Sequence, residues 1–168
     1  MPEWLPELVD TNGEWSDVVA RLYAIFERDL KRGRPTWEGR SVWWDSRRDM
    51  GDPYERGFWH LITTTDQLTK VRLPDFRRAE RLAWCAAIIA HCDDPSVVGW
   101  EYDEGDGKIR SYLWLRDLDF VVILERDARC DRGTGTWFEI AMLITAYYVD
   151  GESSRRRLQS KYDRRQSP

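Results

Sequence analysis

Two groups of residues in this sequence could carry out acid–base or phosphate chemistry, and the first is a histidine. His60 is one of only two histidines in 168 residues. It lies in the segment 57–65, whose aromatic and β-branched residues predict a buried β-strand. Because an imidazole gains or loses a proton near neutral pH, His60 is either a core residue or a catalytic acid or base.

The second group is an arginine cluster that follows His60. A helix predicted from Pro74 to about His91 places Arg77, Arg78 and Arg81 in its first two turns. Like charges at spacings of three and four repel each other, and cations near a helix N-terminus oppose its dipole. The cluster therefore needs anions beside it, which are either carboxylates of the same chain or a bound phosphate.

Hydroxyl groups near the end of the chain form a third candidate. The segment 137–149 predicts a strand in which Thr145 and Tyr147 share one face, while Ile144 and Tyr148 share the other. The two hydroxyls could position a phosphate at a sheet edge. They could equally be strand residues chosen for their high β-propensity.

The distribution of charge favours contact with a few phosphates rather than with a whole nucleic acid. The net charge of −4 argues against a protein that coats nucleic acid without specificity. Residues 93–106 hold six acidic side chains and no basic one, whereas residues 151–168 are mainly basic. We therefore treat Arg155 and Lys161, together with Arg77, as candidate substrate-binding residues. An ordinary solvated helix is the alternative.

Length and composition predict one folded domain. Ten tryptophans supply an aromatic core and exclude a disordered chain. No apolar run approaches the length needed to span a bilayer, and no secretory signal is visible. We expect a cytoplasmic protein without membrane contact, with a single domain at 1–163 and a short basic tail at 164–168.

The cysteines do not predict a metal site. Their odd number fits reduced thiols in a reducing compartment. Cys85 and Cys92 lie seven residues apart in the predicted helix, which separates them by about 10 Å along its axis. Two thiolates on one zinc ion are at most about 4.6 Å apart. Since no phosphate loop or dinucleotide fingerprint is present either, we expect no metal and no cofactor.

The periodicity of apolar residues predicts an α+β fold. Helices are predicted at 15–32, 75–91 and 152–162, and the remaining elements are strands. The predicted strands lie at 41–45, 57–65, 97–102, 109–115, 120–124 and 137–149. We expect an antiparallel sheet of about four to six strands, with N-terminal, central and C-terminal helices packed against it.

The candidate residues are one histidine with several arginines and hydroxyls, and they include no set of metal ligands. This combination suits RNA cleavage by the substrate's own 2'-hydroxyl. The attacking group belongs to the RNA, so the protein supplies a proton acceptor, a proton donor and positive charge for the transition state. DNA lacks this hydroxyl, and its hydrolysis usually recruits a metal.

Four segments resemble the phage- and mobile-element-associated nucleases of the barnase–EndoU–colicin–RelE type. In chain order they are Gly57–Thr63, Asp75–Arg81, Tyr112–Leu115 and Leu143–Asp150. The resemblance covers roughly residues 40–162. It implies helices packed on a four-stranded antiparallel sheet and metal-independent endoribonuclease activity, often as a toxin. RNA such as tRNA would be the substrate, and an antitoxin or immunity protein would be a candidate partner.

The resemblance implies catalytic roles for His60, Arg78, Arg81 and Thr145, which lie in the matching segments. We add Tyr147 from its position beside Thr145. The alternative hypothesis is a non-catalytic interaction protein of a phage or mobile element, whose arginines bind an acidic partner, because a fold does not fix a function.

Overall fold

A six-stranded sheet joins strands from both halves of the chain. The computed structural model describes residues 1–105 and 107–165, so Asp106 of the predicted acidic turn and positions 166–168 of the predicted tail lie outside the described residues. The strands of the sheet are β1 (Thr36–Trp37), β2 (Arg40–Trp43), β5 (Val97–Asp103), β6 (Ile109–Leu115), β7 (Phe120–Cys130) and β8 (Trp137–Tyr148). Two further strands, β3 (Thr63–Thr65) and β4 (Arg72–Pro74), form a separate hairpin.

The strand order in the sheet is β1-β2-β8-β7-β6-β5. All neighbouring strands are antiparallel except β2 and β8, in which Val42 lies opposite Ala141 in a parallel pair. A parallel pair needs a long connection, and more than half of the chain, residues 44–136, lies between these two strands. The predicted hairpin of 97–102 and 109–115 is confirmed as β5 and β6.

Helices cover both faces of the sheet. They are α1 (Trp15–Phe26, continued by a wider π-helical segment Glu27–Arg32), α2 (Arg56–Ile62), α3 (Phe76–Ala79), α4 (Trp84–Ala90) and α5 (Gly151–Asp163). Helices α1 to α4 pack on one face around Phe26, Phe58 and Ile88. Helix α5 packs on the other face, which we call the α5 face, where Leu158 meets Trp100 and Trp114. The predicted α+β class is confirmed.

The predicted strand at 57–65 is wrong for its first six residues. Residues 56–62 form helix α2, and only Thr63–Thr65 is a strand. Phe58, Leu61 and Ile62 recur at helical spacing and are buried against the sheet. Burial of this helical face stabilises the helix by more than the β-propensity of the aromatic and β-branched residues favours a strand. His60 therefore lies on the exposed side of a helix, and it is neither a core residue nor a strand residue.

The predicted helix at 75–91 is interrupted. Between α3 and α4 the backbone amides of Arg81, Leu82 and Trp84 donate to carbonyls three residues earlier, at 2.9–3.2 Å. Such bonds form a tighter turn than an α-helix. The N-terminus of α3 is capped by Asp75, whose side chain accepts from the amide of Arg78 at 3.1 Å.

A β-bulge changes the predicted alternation in β8. The pairing of β7 with β8 shifts between Ile123 and Leu124, so that Ile144 has no opposite residue. Ile144 consequently joins Tyr147 on the α5 face, although simple alternation placed them on opposite faces. Tyr148 remains on the face of α1 to α4, as predicted.

We expect Gly57→Ala to destabilise the protein by about 1–3 kcal/mol because the site has no room for a methyl group. An added Cβ would lie 2.9 Å from Cβ of Trp44 and 3.0 Å from the carbonyl oxygen of Asp45. In an open helix the same change would stabilise by about 1 kcal/mol. Gly99→Ala is the control, since its Cβ would meet Leu113 Cδ2 at 3.6 Å and the carbonyl oxygen of Tyr112 at 3.9 Å, both ordinary van der Waals distances. Urea denaturation of both variants measures the difference, and a stabilised Gly57→Ala variant would contradict it.

Candidate active site

Arg78 joins three distant segments of the chain. Its Nη1 donates to the backbone carbonyl of His60 at 3.0 Å and to Thr145 Oγ1 at 3.4 Å. Its guanidinium carbon also lies 5.6 Å from the centroid of the Tyr147 ring, in a cation–π contact. Arg78 thus contacts the Thr145 and Tyr147 side chains and the main chain of His60, although up to 87 positions separate these residues in the sequence.

The contact is possible because part of β8 has an uncovered edge. The last residue of β2 paired with β8 is Trp43, opposite Met142. Beyond that pair, within the described residues, β8 has β7 as its only neighbouring strand. Arg78 starts from α3, on one face of the sheet, and reaches across this edge to Thr145 and Tyr147 on the α5 face.

The guanidinium of Arg78 is held in one orientation, but not all of its N–H groups donate a hydrogen bond. Its Nε lies 3.0 Å from Asp75 Oδ2, although the angle does not suit a hydrogen bond. Among the described residues none accepts a hydrogen bond from Nη2. The side chain is 20% exposed. A fixed arginine with a free donor suits an oxyanion such as phosphate, because phosphate oxygens accept its charge-assisted hydrogen bonds.

The phenol of Tyr147 is held in its protonated form. Burial raises its pKa, and the negative charge of Glu104 raises it further, while the cations Arg78 and Arg157 act in the opposite direction. The result is a neutral hydroxyl at neutral pH, with two positive charges nearby. Such a group can donate a proton or a hydrogen bond to an anion.

Arg157 was not predicted to be a site residue from the sequence. Its positive charge nevertheless acts on this site, because it lowers the pKa of Tyr147. It is exposed and forms no ion pair with a carboxylate of the described residues. A signal for it does exist in the sequence. Arg157 and Lys161 are four residues apart and share a helix face, next to the buried anchor Leu158.

Arg155 and Lys161, which were predicted to bind substrate, are engaged in internal contacts. Arg155 pairs with Asp119 at 2.5 Å and donates to the carbonyl of Arg116 at 3.3 Å. Lys161 contacts both carboxylate oxygens of Glu104, at 2.6 and 2.7 Å, and the hydroxyl of Tyr112 at 2.8 Å. Both side chains fasten α5 to the sheet.

The carboxylate of Glu104 accepts hydrogen bonds from both Lys161 and Tyr112 and is the centre of their network. Burial opposes its ionisation, but hydrogen bonds from Lys161 and Tyr112 outweigh burial and lower its pKa. The pKa of Tyr112 is raised by burial and by the adjacent carboxylate. Glu104 therefore stays charged and Tyr112 stays protonated, which keeps α5 attached at neutral pH.

The other two arginines of the cluster lie on the opposite side of β8. Arg77 pairs with Asp150 at 3.2 Å and lies 4.7 Å from the Tyr148 ring centroid. Arg81 pairs with Glu80, donates to the carbonyl of Arg77 at 3.0 Å and lies 4.8 Å from the same ring. Since Arg78 is also ion-paired with Asp75, the salt-bridge interpretation fits all three arginines, and Arg78 differs from the other two in reaching Thr145 and Tyr147.

The imidazole of His60 is surrounded mainly by cations. Partial desolvation lowers its pKa below 6.5, and the positive charges of Arg72 and Arg78 lower it further, against an opposing effect of Asp45. Arg72 is itself held over the Trp59 ring, 5.3 Å from the centroid. The ring of His60 is therefore neutral at pH 7 and able to accept a proton.

Comparisons with protein-family models, with curated proteins and with solved structures gave no match to this chain. Within residues 1–105 and 107–165, no group of three or more His, Cys, Asp or Glu side chains is placed to hold a metal ion. None of the helices in that part of the chain is long and apolar enough to cross a membrane.

We expect the His60 imidazole to titrate with a midpoint below 6.5 and Arg72→Ala to raise that midpoint, because a neighbouring cation disfavours the imidazolium. NMR titration of the imidazole protons measures both values, and the His60 resonance is assigned by its loss in His60→Asn. Since the folded state binds this proton more weakly than the unfolded chain, stability should fall as the pH drops below 6.5 through the folded-state pKa. A midpoint at or above 6.5 would contradict this environment.

Proposed function

We propose that this protein is a metal-independent endoribonuclease that cleaves structured RNA through the 2'-hydroxyl. The observation that supports the proposal most directly is the contact of Arg78 with the His60 backbone carbonyl, the Thr145 hydroxyl and the Tyr147 ring, with the His60 imidazole close enough for the charge of Arg78 to lower its pKa. These groups supply a proton acceptor, a proton donor and a cation with a free donor, which is the set that this reaction requires.

In the proposed reaction His60 acts as the general base. Its lowered pKa leaves the imidazole neutral at pH 7, so that it takes the proton of the attacking 2'-hydroxyl. The O2'–P bond forms and the P–O5' bond breaks. Tyr147, kept protonated by burial, gives its proton to the leaving O5', which is a far stronger base than a phenolate. Two groups whose environments move their pKa values apart are suited to opposite roles.

Arg78 and Arg157 would stabilise the charge that develops on the phosphate. Arg78 is held in place by the His60 carbonyl and the Thr145 hydroxyl, so Thr145 acts by positioning the guanidinium. Preorganised cations of this kind contribute more than mobile ones because they need no reorganisation during the reaction. Arg81 has no contact with these groups, and its proposed contribution is to fix α3 beside β8.

The biological setting is part of the same proposal. An enzyme of this kind would act in the cytoplasm on an RNA such as tRNA, as a toxin or effector of a phage or mobile element. An antitoxin or immunity protein would then be its natural partner.

The second candidate function is that of a non-catalytic interaction protein, and exposed apolar side chains favour it. Leu68, Val71, Leu73 and Phe76 are exposed on and beside the β3–β4 hairpin, next to Arg77. An apolar patch rimmed by cations is typical of a protein-binding surface. In this case the arginines would bind an acidic partner.

If the first function holds, cleavage of total RNA should continue in excess EDTA and leave a 2',3'-cyclic phosphate and a 5'-hydroxyl, because the nucleophile is the ribose hydroxyl. Sequencing of the RNA ends after adaptor ligation with and without phosphatase and kinase treatment identifies these termini. Activity that disappears in EDTA and returns with Mg²⁺ would instead indicate a metal nuclease.

Arg78→Lys should lower the cleavage rate about 10- to 100-fold, because lysine keeps the charge but loses the planar donor geometry. His60→Ala should abolish cleavage while leaving cooperative melting intact, since the imidazole is on an exposed helix face. Arg164→Lys is the matched control, because the Arg164 side chain lies at the end of α5, where it donates to the carbonyl of Ser160 and lies 5.8 Å from the Tyr102 ring centroid. Single-turnover kinetics on one RNA measure all three, and equal effects of Arg78→Lys and Arg164→Lys would favour the interaction-protein function.

A further inference from the structure

We propose that Trp43 and Phe138 form a stacking site for a base of single-stranded RNA beside the phosphate site. The inference rests on the proposed function, because it adds a subsite to the same substrate surface. The two rings are 5.9 Å apart at an angle of 56°, and the side chains are 41% and 39% exposed. Single exposed apolar residues are ordinary, but here two exposed aromatic rings adjoin, and each offers a face on which a base can stack.

Both rings lie on the sheet face that carries Thr145 and Tyr147. Val42 and Ala141 pack into the core under α1 to α4. Their neighbours Trp43 and Met142, which are paired with each other, therefore point to the α5 face. Phe138 shares this face because it precedes Met142 by four residues in the same strand.

The spacing along β8 suits two nucleotides of one strand. Trp43 lies opposite Met142, three residues before Thr145, but its ring packs against Phe138, seven residues before Thr145, so roughly 10–20 Å of strand separates the aromatic pair from Thr145. A base stacked on Trp43 could therefore belong to a nucleotide close to a phosphate held by Arg78. The subsite and the phosphate site form one continuous surface along the same strand.

A cavity of about 440 Å³ beside Trp43 adds a place for the sugar and phosphate of that nucleotide. The cavity lies at the edge of β2, since its lining combines Arg34 and the hydroxyls of Ser41 and Ser46 with Leu30 and Val42 from the face covered by α1 to α4. Arg34 is exposed and, within the described part of the chain, pairs with no carboxylate. Its backbone adopts a left-handed conformation with φ of 47°, which is uncommon for a residue other than glycine.

Charge and shape together favour single-stranded RNA as the occupant. Arg34 lines the cavity beside Trp43, and Arg78 lies at Thr145 and Tyr147 farther along β8, so a polyanion that follows this surface would meet two cations. The bases of a duplex are already stacked on one another, whereas those of loops and single strands can be turned outward onto a protein ring. We therefore expect preference for single-stranded segments over duplex.

The test measures binding separately from cleavage. A fluorescein-labelled, 2'-O-methylated single-stranded RNA of mixed sequence lacks the attacking hydroxyl, and its binding is followed by fluorescence anisotropy. Trp43→Ala should raise Kd roughly 5- to 150-fold, the range that loss of one stacked base gives. Trp43→Phe should restore most of the affinity because it restores a ring.

The matched control is Trp137→Ala. Trp137 is 69% exposed and lies in β8 on the opposite face from Phe138. This change should alter Kd less than twofold, and melting curves should show that both alanine variants are folded. Equal losses in Trp43→Ala and Trp137→Ala, no loss in Trp43→Ala, or no binding of single-stranded RNA by the unaltered protein would each overturn the proposal.

The subsite and the nuclease can fail separately. Cleavage in EDTA with an unchanged KM in Trp43→Ala would overturn the subsite and leave the nuclease in place. Loss of binding in Trp43→Ala, in a protein that cleaves no RNA, would support the subsite and overturn the nuclease.

Discussion

The candidate site depends on one side chain crossing the uncovered edge of a sheet. Arg78 starts on the face covered by α1 to α4 and ends beside Thr145 and Tyr147 on the α5 face. This is possible because β2 stops pairing with β8 at Trp43, so that no third strand blocks the way. A sheet edge with free backbone groups is a liability unless something covers it. Here α2 and α3 lie beside the edge, and Arg78 places a positive charge there.

The same edge separates cations that are close in sequence. Arg77 and Arg81 remain on one side, over Tyr148, where carboxylates balance them. Arg78 alone passes to the other side, over Tyr147. The repulsion expected between three neighbouring arginines is thus relieved by the sheet, which divides them between its two faces. Arg78 and Arg81 each keep an Nε without a hydrogen-bond partner among the described residues, but only Arg78 lies beside Thr145 and Tyr147.

The electrostatic environments of His60 and Tyr147 follow from this arrangement. Partial desolvation and nearby cations keep the imidazole neutral, and burial keeps the phenol protonated. An isolated helix or strand would show neither pKa shift, since both shifts depend on burial by other elements and on their charges. On the remaining part of the α5 face, Lys161 and Arg155 bind Glu104 and Asp119 and hold α5 against the sheet. Part of the basic character of this helix therefore serves its packing against the rest of the domain.

The sequence by itself determined the α+β class, the α1 helix, the β5–β6 hairpin and the choice of His60, Arg78, Thr145 and Tyr147 as candidates. These features depend on local periodicity and residue type, which a single chain displays directly. Only the tertiary structure decided that 56–62 is a helix, because its aromatic composition indicated a strand until the buried spacing of Phe58, Leu61 and Ile62 was known. Likewise, only packing could distinguish Arg157 from Arg155, since the partners that occupy Arg155 lie 36 and 39 positions away. Contacts between distant segments decide which charges are free, and no local pattern records them.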